Sequence, residues 1–439
     1  MVSLNRLKRV FTREGAPAQA FAPERELQRA VMNCLLWEDQ FYEDGVAIAD
    51  RIAALVPHVA AEKVAALAVE AREKMKLRHA PLILVREMAR LKTHAPLVAE
   101  TVERIVQRPD ELTELLALYW ADVIGPQQQR KKRPVSAQIK KGLARALTKF
   151  DAYQLAKYDR DGAVRLRDVL FLTHAKPRDE AQAQVWKQLV DGRLAAPDTW
   201  EVALSSGEDK RATFERLIAQ RKLGGLALLR NLRLMQAAGV ERETLAEALS
   251  AMRVDRILPY RFIAAARYAP DLEPELEQAM LKSIEGAPRL KGRTRLLIDV
   301  SGSMVAPLSR QSEMTRLDAA CGLAVLAREI CERVEVFTFS NEAKAVPNRR
   351  GFALRDAIVG SQPHGGTLLG KAVAEVDRKG ERLIVFTDEQ SHDKVEAPKG
   401  VGYMVNVASA QHGVGRGDWR RVDGFSEAVL TWIAAVEAE

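Results

Sequence analysis

Long apolar runs, paired cysteines and nucleotide-binding glycine loops are all missing from this 439-residue chain. No apolar stretch reaches the length needed to cross a bilayer. Residues 1–10 are too short and polar for a secretory signal. Both absences predict a cytoplasmic protein with no membrane partner. Only Cys34, Cys321 and Cys331 are present. They have no framework spacing and no CxxC pair, which excludes a disulfide scaffold and a zinc ribbon. Cys321 and Cys331 lie in an apolar helical stretch, where buried thiols are expected. There is no Walker loop, no zinc-hydrolase spacing and no GxSxG elbow, so the expectation is a binding protein and not an enzyme. His392-Asp393 near Asp388 does not by itself define a hydrolase. Activation of a water through a metal at Asp299 and Asp388 is the minor alternative.

What is present fits a globular protein of two or more domains, with 47% hydrophobic and 29% charged residues. The charge is unevenly placed. Residues 1–290 carry 47 Lys and Arg against 39 Asp and Glu, and residues 291–439 carry 20 of each. The whole formal excess of +8 therefore lies in the N-terminal part, which points to a polyanionic partner. A lysine-rich solvated surface is the alternative. That part reads as helical, with amphipathic segments at 64–76, 82–92 and 98–107 joined by short breaks containing His and Pro. Such helices pack as antiparallel pairs, and a succession of pairs makes a solenoid. From Ile124 to Phe150 there is no acid, but there are Arg130, Lys131, Lys132, Arg133, Lys140, Lys141, Arg145 and Lys149. On a helix starting near Ser136, Lys141, Arg145 and Lys149 form one stripe. Ile139, Leu143, Leu147 and Phe150 form the opposite face. This cationic ridge suits a phosphate backbone.

The C-terminal part alternates apolar strands (295–299, 334–339, 382–387, 402–407) with helices (316–333, 368–378, 426–437), the pattern of an open, mostly parallel sheet. The first strand runs into Asp299-Val-Ser301-Gly-Ser303. The third ends in Thr387-Asp388, and Gly365-Gly366-Thr367 lies between them. Two carboxylates and three hydroxyls are hard oxygen donors suited to Mg2+. Helix capping by the hydroxyls is the alternative. In this order the elements resemble the metal-ion-dependent adhesion site of von Willebrand factor A domains. The expected ligands are Asp299, Ser301, Ser303, Thr367 and Asp388, and the resemblance implies that a partner's acidic group can complete the shell.

A second resemblance lies upstream. Ala156-Lys-Tyr-Asp-Arg-Asp-Gly162, Leu166-Arg-Asp-Val-Leu-Phe-Leu-Thr-His-Ala-Lys-Pro177, Gly225–Met235 with its ALLRNL core, and Ile257-Leu-Pro-Tyr-Arg-Phe262 are similar to the TROVE module of the Ro autoantigen family. The order of a helical module followed by an A domain also agrees. The resemblance implies an α + α/β fold, with a HEAT-like helical ring over 1–288 and a doubly wound A-like domain over 289–439. It further implies that single-stranded 3′ ends of misfolded non-coding RNA enter a basic hole. Structured Y-like RNA would bind an outer surface that includes Lys157 and His174. Asp161 stands where the family has a basic residue, beside Arg160. RNA quality control, an exoribonuclease partner such as polynucleotide phosphorylase, and a monomeric state complete the expectation. Arg230 and Asn231 either face the RNA or pair within the scaffold. His174 either meets RNA or satisfies the carbonyls at a helix end, and Tyr153 and Tyr158 either stack on bases or fill the core. The competing function is a metal-dependent protein-interaction module on a helical scaffold, such as a partner of an AAA+ motor, without nucleic acid.

Overall fold

A computed structural model describes residues 10–11, 17–18, 22–32, 45–75, 77–120, 134–254, 257, 260–308, 314–408, 413–415, 417–423 and 428–438. Cys34, residues 1–9, the basic run Arg130–Arg133 and Leu258-Pro259 lie outside the described residues. The chain divides into two compact units, one of residues 22–36 and 46–202, the other of 1–21, 37–45 and 203–439.

The first unit is a helical array. Helices Ala61–Glu73, Ala95–Ile105, Ala137–Leu147 and Leu166–Thr173 pack successively as one row. His79–Met88, Pro109–Trp120, Ala152–Tyr158 and Glu180–Val190 form the other. Each helix thus packs on the next but one, as stacked helical pairs require. The pairs bury Leu67, Val85, Val102, Leu116, Leu143 and Val169. The expected segments are present but begin three residues earlier. The His-Ala-Pro sequences at 79–81 and 94–96 prove to be helix starts and not breaks. Proline fits there because the first turn has no intrahelical acceptor for its missing N–H.

In the second unit, Lys210–Ala219, Gly225–Ala237, Arg242–Ala251, Tyr260–Tyr268 and Glu273–Ser283 continue the helical pattern. A six-stranded sheet follows: β1 Leu290–Asp299, β2 Cys331–Phe339, β3 Ala343–Ala345, β4 Arg382–Thr387, β5 Val401–Asn406 and β6 Arg420–Asp423. The spatial order is β3-β2-β1-β4-β5-β6, parallel except for β3. β4 is buried at every position, as a central parallel strand covered on both faces must be. The change from helix to α/β falls at Leu290, but the packing boundary does not. Helix Tyr260–Tyr268 packs on Arg316–Ile330, and Glu273–Ser283 packs on Gly351–Val359. A Cβ at Gly322 would lie 2.6 Å from Ile263 Cδ1, so glycine is what lets these two helices approach.

The strands β3 and β6 and the helix Gly351–Val359 were not expected. The two strands are only 3 and 4 residues long, too short to show a period. Cys321 and Cys331 are buried free thiols. Cys331, however, opens β2, because the helix ends at Ile330.

Candidate functional site

The strand order reverses between β1 and β4, and this switch point is where an open sheet leaves a crevice beyond its carboxyl ends. Asp299 ends β1, and Asp388 follows β4 directly. Both are fully buried, as is Ser301. The Ser301 amide donates to Asp299 Oδ1 at 2.9 Å, and the Thr387 hydroxyl donates to Oδ2 at 2.6 Å. Burial first, and then the charge of Asp388, push the Asp299 carboxyl up to about 7, against these hydrogen bonds.

The other expected donors come to the same place. Ser301 Oγ lies 3.3 Å from Ser303 Oγ. The short helix that Ser301 precedes takes no side-chain cap from it, so capping does not explain the motif. The Gly302 amide donates to the Gly365 carbonyl at 2.9 Å, joining the first loop to the second. Gly365 is seated against Ser340, whose hydroxyl accepts its amide at 2.9 Å. A Cβ there would strike Asn341 Nδ2 at 2.7 Å. The His392 amide donates to the Thr367 carbonyl at 3.0 Å, joining the second loop to the third. Asp299, Ser301, Ser303, Thr367 and Asp388 thus converge from three loops. Among the described residues no group of three His, Cys, Asp or Glu side chains is placed to hold a metal. Two carboxylates and several hydroxyls are instead a donor set that suits a magnesium-type ion.

Three features were not legible in the sequence. Arg316, 2% exposed as a side chain, sends Nη1 to Asp388 Oδ2 at 3.3 Å and to the Ser303 carbonyl at 3.3 Å. Glu389 is fully buried with a left-handed φ of 58°. It is held by Arg421 Nε at 2.5 Å, by a second bond from the same guanidinium, and by Asn406 Nδ2 at 3.2 Å. Its amide reaches the Thr387 hydroxyl at 3.0 Å, so this ion pair anchors the turn that presents Asp388. Asp393 accepts from the Gly370 and Lys371 amides at 2.8 and 2.7 Å. It caps the helix Leu369–Val376, which gives the His392-Asp393 pair a structural role.

The residues expected at RNA divide differently. Lys141 is exposed and Lys140 half-buried on Ala137–Leu147, which Ser136 caps and whose apolar face is buried as expected. Arg145 lies 3.4 Å from Glu103. Lys149 bonds to the carbonyls of Glu103 and Val106, so it closes the C-terminus of Ala95–Ile105, and burial lowers its pKa. His174 is exposed and ends its helix in the left-handed conformation, with φ 51°. Lys157 is half-buried, 6.0 Å from the Tyr158 ring, over which Arg108 lies at 4.8 Å. Tyr153 is exposed. Asp161 pairs with Arg165 at 2.8 Å. Arg230 is exposed, but Asn231 is buried and donates to the Ala227 carbonyl at 2.8 Å, one turn back on its own helix. Asn231 thus bonds within its own helix.

Residues 185–316 match the TROVE domain family. The crystal structure of the Ro (RSR) protein of Deinococcus radiodurans superposes with a TM-score of 0.61 at 19% identity, covering 93% of this chain and 99% of that one. No curated protein matches the chain in sequence.

Proposed function

We propose that this chain is a TROVE-bearing protein of the Ro type and a non-catalytic RNA-binding protein, a reading supported by the family match over residues 185–316 and by the shared fold. It holds single-stranded 3′ ends of misfolded non-coding RNA and presents structured, Y-like RNA on a separate surface, acting in RNA quality control. The observation that carries this reading is the charge asymmetry. The entire formal excess of +8 falls on residues 1–290, and the exposed cations Lys141, Arg145 and Arg230 lie on helices of that part. A scaffold for protein partners alone has no need of that asymmetry. An exoribonuclease that consumes the captured 3′ end is the matching partner.

In the same reading Asp299, Ser301, Ser303, Thr367 and Asp388 hold Mg2+. The ion would supply a Lewis-acidic position open to an anionic ligand. The chain's own residues do the preparation. Thr387 and the Ser301 amide orient Asp299, Arg316 orients Asp388, and the Gly365-Gly366 turn lets Thr367 approach. Among the described residues no helix is long and apolar enough to cross a membrane.

The test is binding of an RNA with a structured body and a single-stranded 3′ tail, titrated with salt, for wild type and Lys141→Glu/Arg145→Glu. Tight binding that requires the tail, falls steeply with salt and weakens in the variant supports the proposal. No binding at low salt overturns it and leaves the metal-dependent protein-interaction module.

A further inference from the structure

Strands β1 and β2 do not keep an even register. Leu290 pairs with Cys331 but Arg293 pairs with Arg333, so β1 carries one extra residue over this stretch. The bulge is built at Gly292, whose φ of 84° suits glycine and whose amide donates to Glu332 at 2.7 Å. Bulges are rare between parallel strands, and they re-aim side chains. An even register from Leu290 would set Gly292 opposite Arg333. The bulge sets Arg293 there instead, so two arginines face each other directly, and like charges so placed repel.

Side chains alternate along a strand, so Arg293, Arg295 and Leu297 share one face of the sheet. Helix Leu369–Val376 packs on that face at Leu297, Phe339 and Val385, but it is only eight residues long. Toward the amino ends of the strands the same face carries a cleft of about 230 Å3, lined by Arg293, Arg295, Arg333, Glu335 and Glu381. Arg295 is 14% exposed as a side chain and lies 5.5 Å over the Phe337 ring. It pairs with Glu335 at 2.9 Å and with Glu381 at 2.6 Å, so both carboxylates of the cleft are engaged by one guanidinium. Arg293 reaches Glu381 only at 3.7 Å, and among the described residues Arg333 has no ion-pair partner. Both of these arginines are exposed.

A like-charge pair created by an irregular strand, beside a cleft, calls for an anion that both arginines can share. A planar carboxylate fills one guanidinium fork. Two forks on neighbouring strands, about 4.8 Å apart, need at least three oxygens that are not all in one plane. A phosphate monoester has three such oxygens, and a backbone phosphodiester has two. We propose that Arg293 and Arg333 form a binding site for a phosphate monoester at the amino ends of the strands, the opposite end of the sheet from Asp299 and Asp388. The site does not depend on RNA capture by the helical part.

The experiment uses the full chain at constant ionic strength, in EDTA so that phosphate cannot bind through a metal ion. Inorganic phosphate is titrated by calorimetry into wild type, Arg293→Gln, Arg333→Gln and Arg289→Gln. Arg289 is an exposed cation just before β1 that does not line the cleft. A hydrogen bond to a charged group corresponds to roughly 10- to 150-fold in affinity. Wild type should bind phosphate saturably, the two cleft variants about tenfold or more weakly, and Arg289→Gln as wild type does. Without phosphate, Arg333→Gln should unfold at or above the wild-type temperature, because the repulsion is removed. Short single-stranded RNAs that differ only in a 5′ phosphate separate the sources of the ligand. A preference for the phosphorylated RNA that vanishes in Arg333→Gln assigns the site to an RNA end, and phosphate binding without that preference assigns it to a small phosphate ester. No saturable phosphate binding by wild type, an equal loss in Arg289→Gln, or a lowered unfolding temperature in Arg333→Gln overturns the proposal and leaves the RNA-binding reading untouched.

Discussion

The buried pair Glu389–Arg421 offers the sharpest test of how the turn after β4 is held. Glu389 combines two costs. Its left-handed backbone costs a non-glycine residue on the order of 1–3 kcal/mol. Its carboxylate is also fully buried. Arg421 from β6 and Asn406 from β5 offset the second cost. Arg421→Leu keeps an apolar side chain in place but strands the carboxylate, and breaking a buried pair on one side costs about 3–5 kcal/mol. Glu389→Gly/Arg421→Leu removes both charges and the backbone strain together. It should recover part of the loss, because no buried charge is left unpaired. Urea unfolding, followed by fluorescence with Trp419 and Trp432 reporting from the α/β domain, measures both. At a slope of about 3 kcal/mol per molar, Arg421→Leu should move the midpoint down by about 1 M or more. A loss below about 1 kcal/mol for Arg421→Leu, or a double variant no more stable than the single one, would refute the claim that the pair holds the strained turn.

Other predictions concern the metal centre and the cations. Asp299 has a raised folded pKa, so the folded state binds its proton more tightly than the unfolded chain does. In EDTA its contribution to stability is fullest near pH 4 and declines as pH rises to about 7. Mg2+ should remove the decline, and Asp299→Asn should abolish both effects. A wild-type minus Asp299→Asn stability difference that is flat over this range, with and without Mg2+, would contradict the assignment. Lys149→Ala should cost about 1 kcal/mol of stability through the lost helix cap. It should flatten the salt dependence of RNA binding less than Lys141→Glu does, and the reverse ranking would restore Lys149 to the RNA ridge. Asn231→Ala should lower stability by about 1 kcal/mol through its lost helix-backbone bond, with RNA affinity unchanged. Arg230→Ala should do the opposite, and equal RNA losses in the two would overturn the division between them.

Periodic and local features could be read before folding. The apolar runs ending at Asp299 and Thr387 named two central strands because strands covered on both faces must be continuously hydrophobic. The DxSxS run, the GGT turn and Asp388 could be placed at one end of the sheet in advance, because the first and last follow apolar strands and the turn opens a helix. The amphipathic segments gave the helical array and the buried face of Ala137–Leu147.

Long-range contacts were hidden. Nothing near Arg316 signals that it meets a carboxylate 72 positions away, and nothing near Lys149 signals that it closes a helix ending at Ile105. A charge stripe looks the same whether its cations face solvent or a neighbouring carbonyl. Packing alone separates Lys141 from Lys149 and Arg230 from Asn231. Packing also ties the helices of 210–283 to the α/β sheet, although composition changes only at 290. The sequence by itself determined which residue types lie on which face of each element, since periods of two and 3.6 are local properties of the backbone. Only the tertiary structure decided which of those faces meet, because contact between distant segments depends on how the whole chain buries its apolar surface.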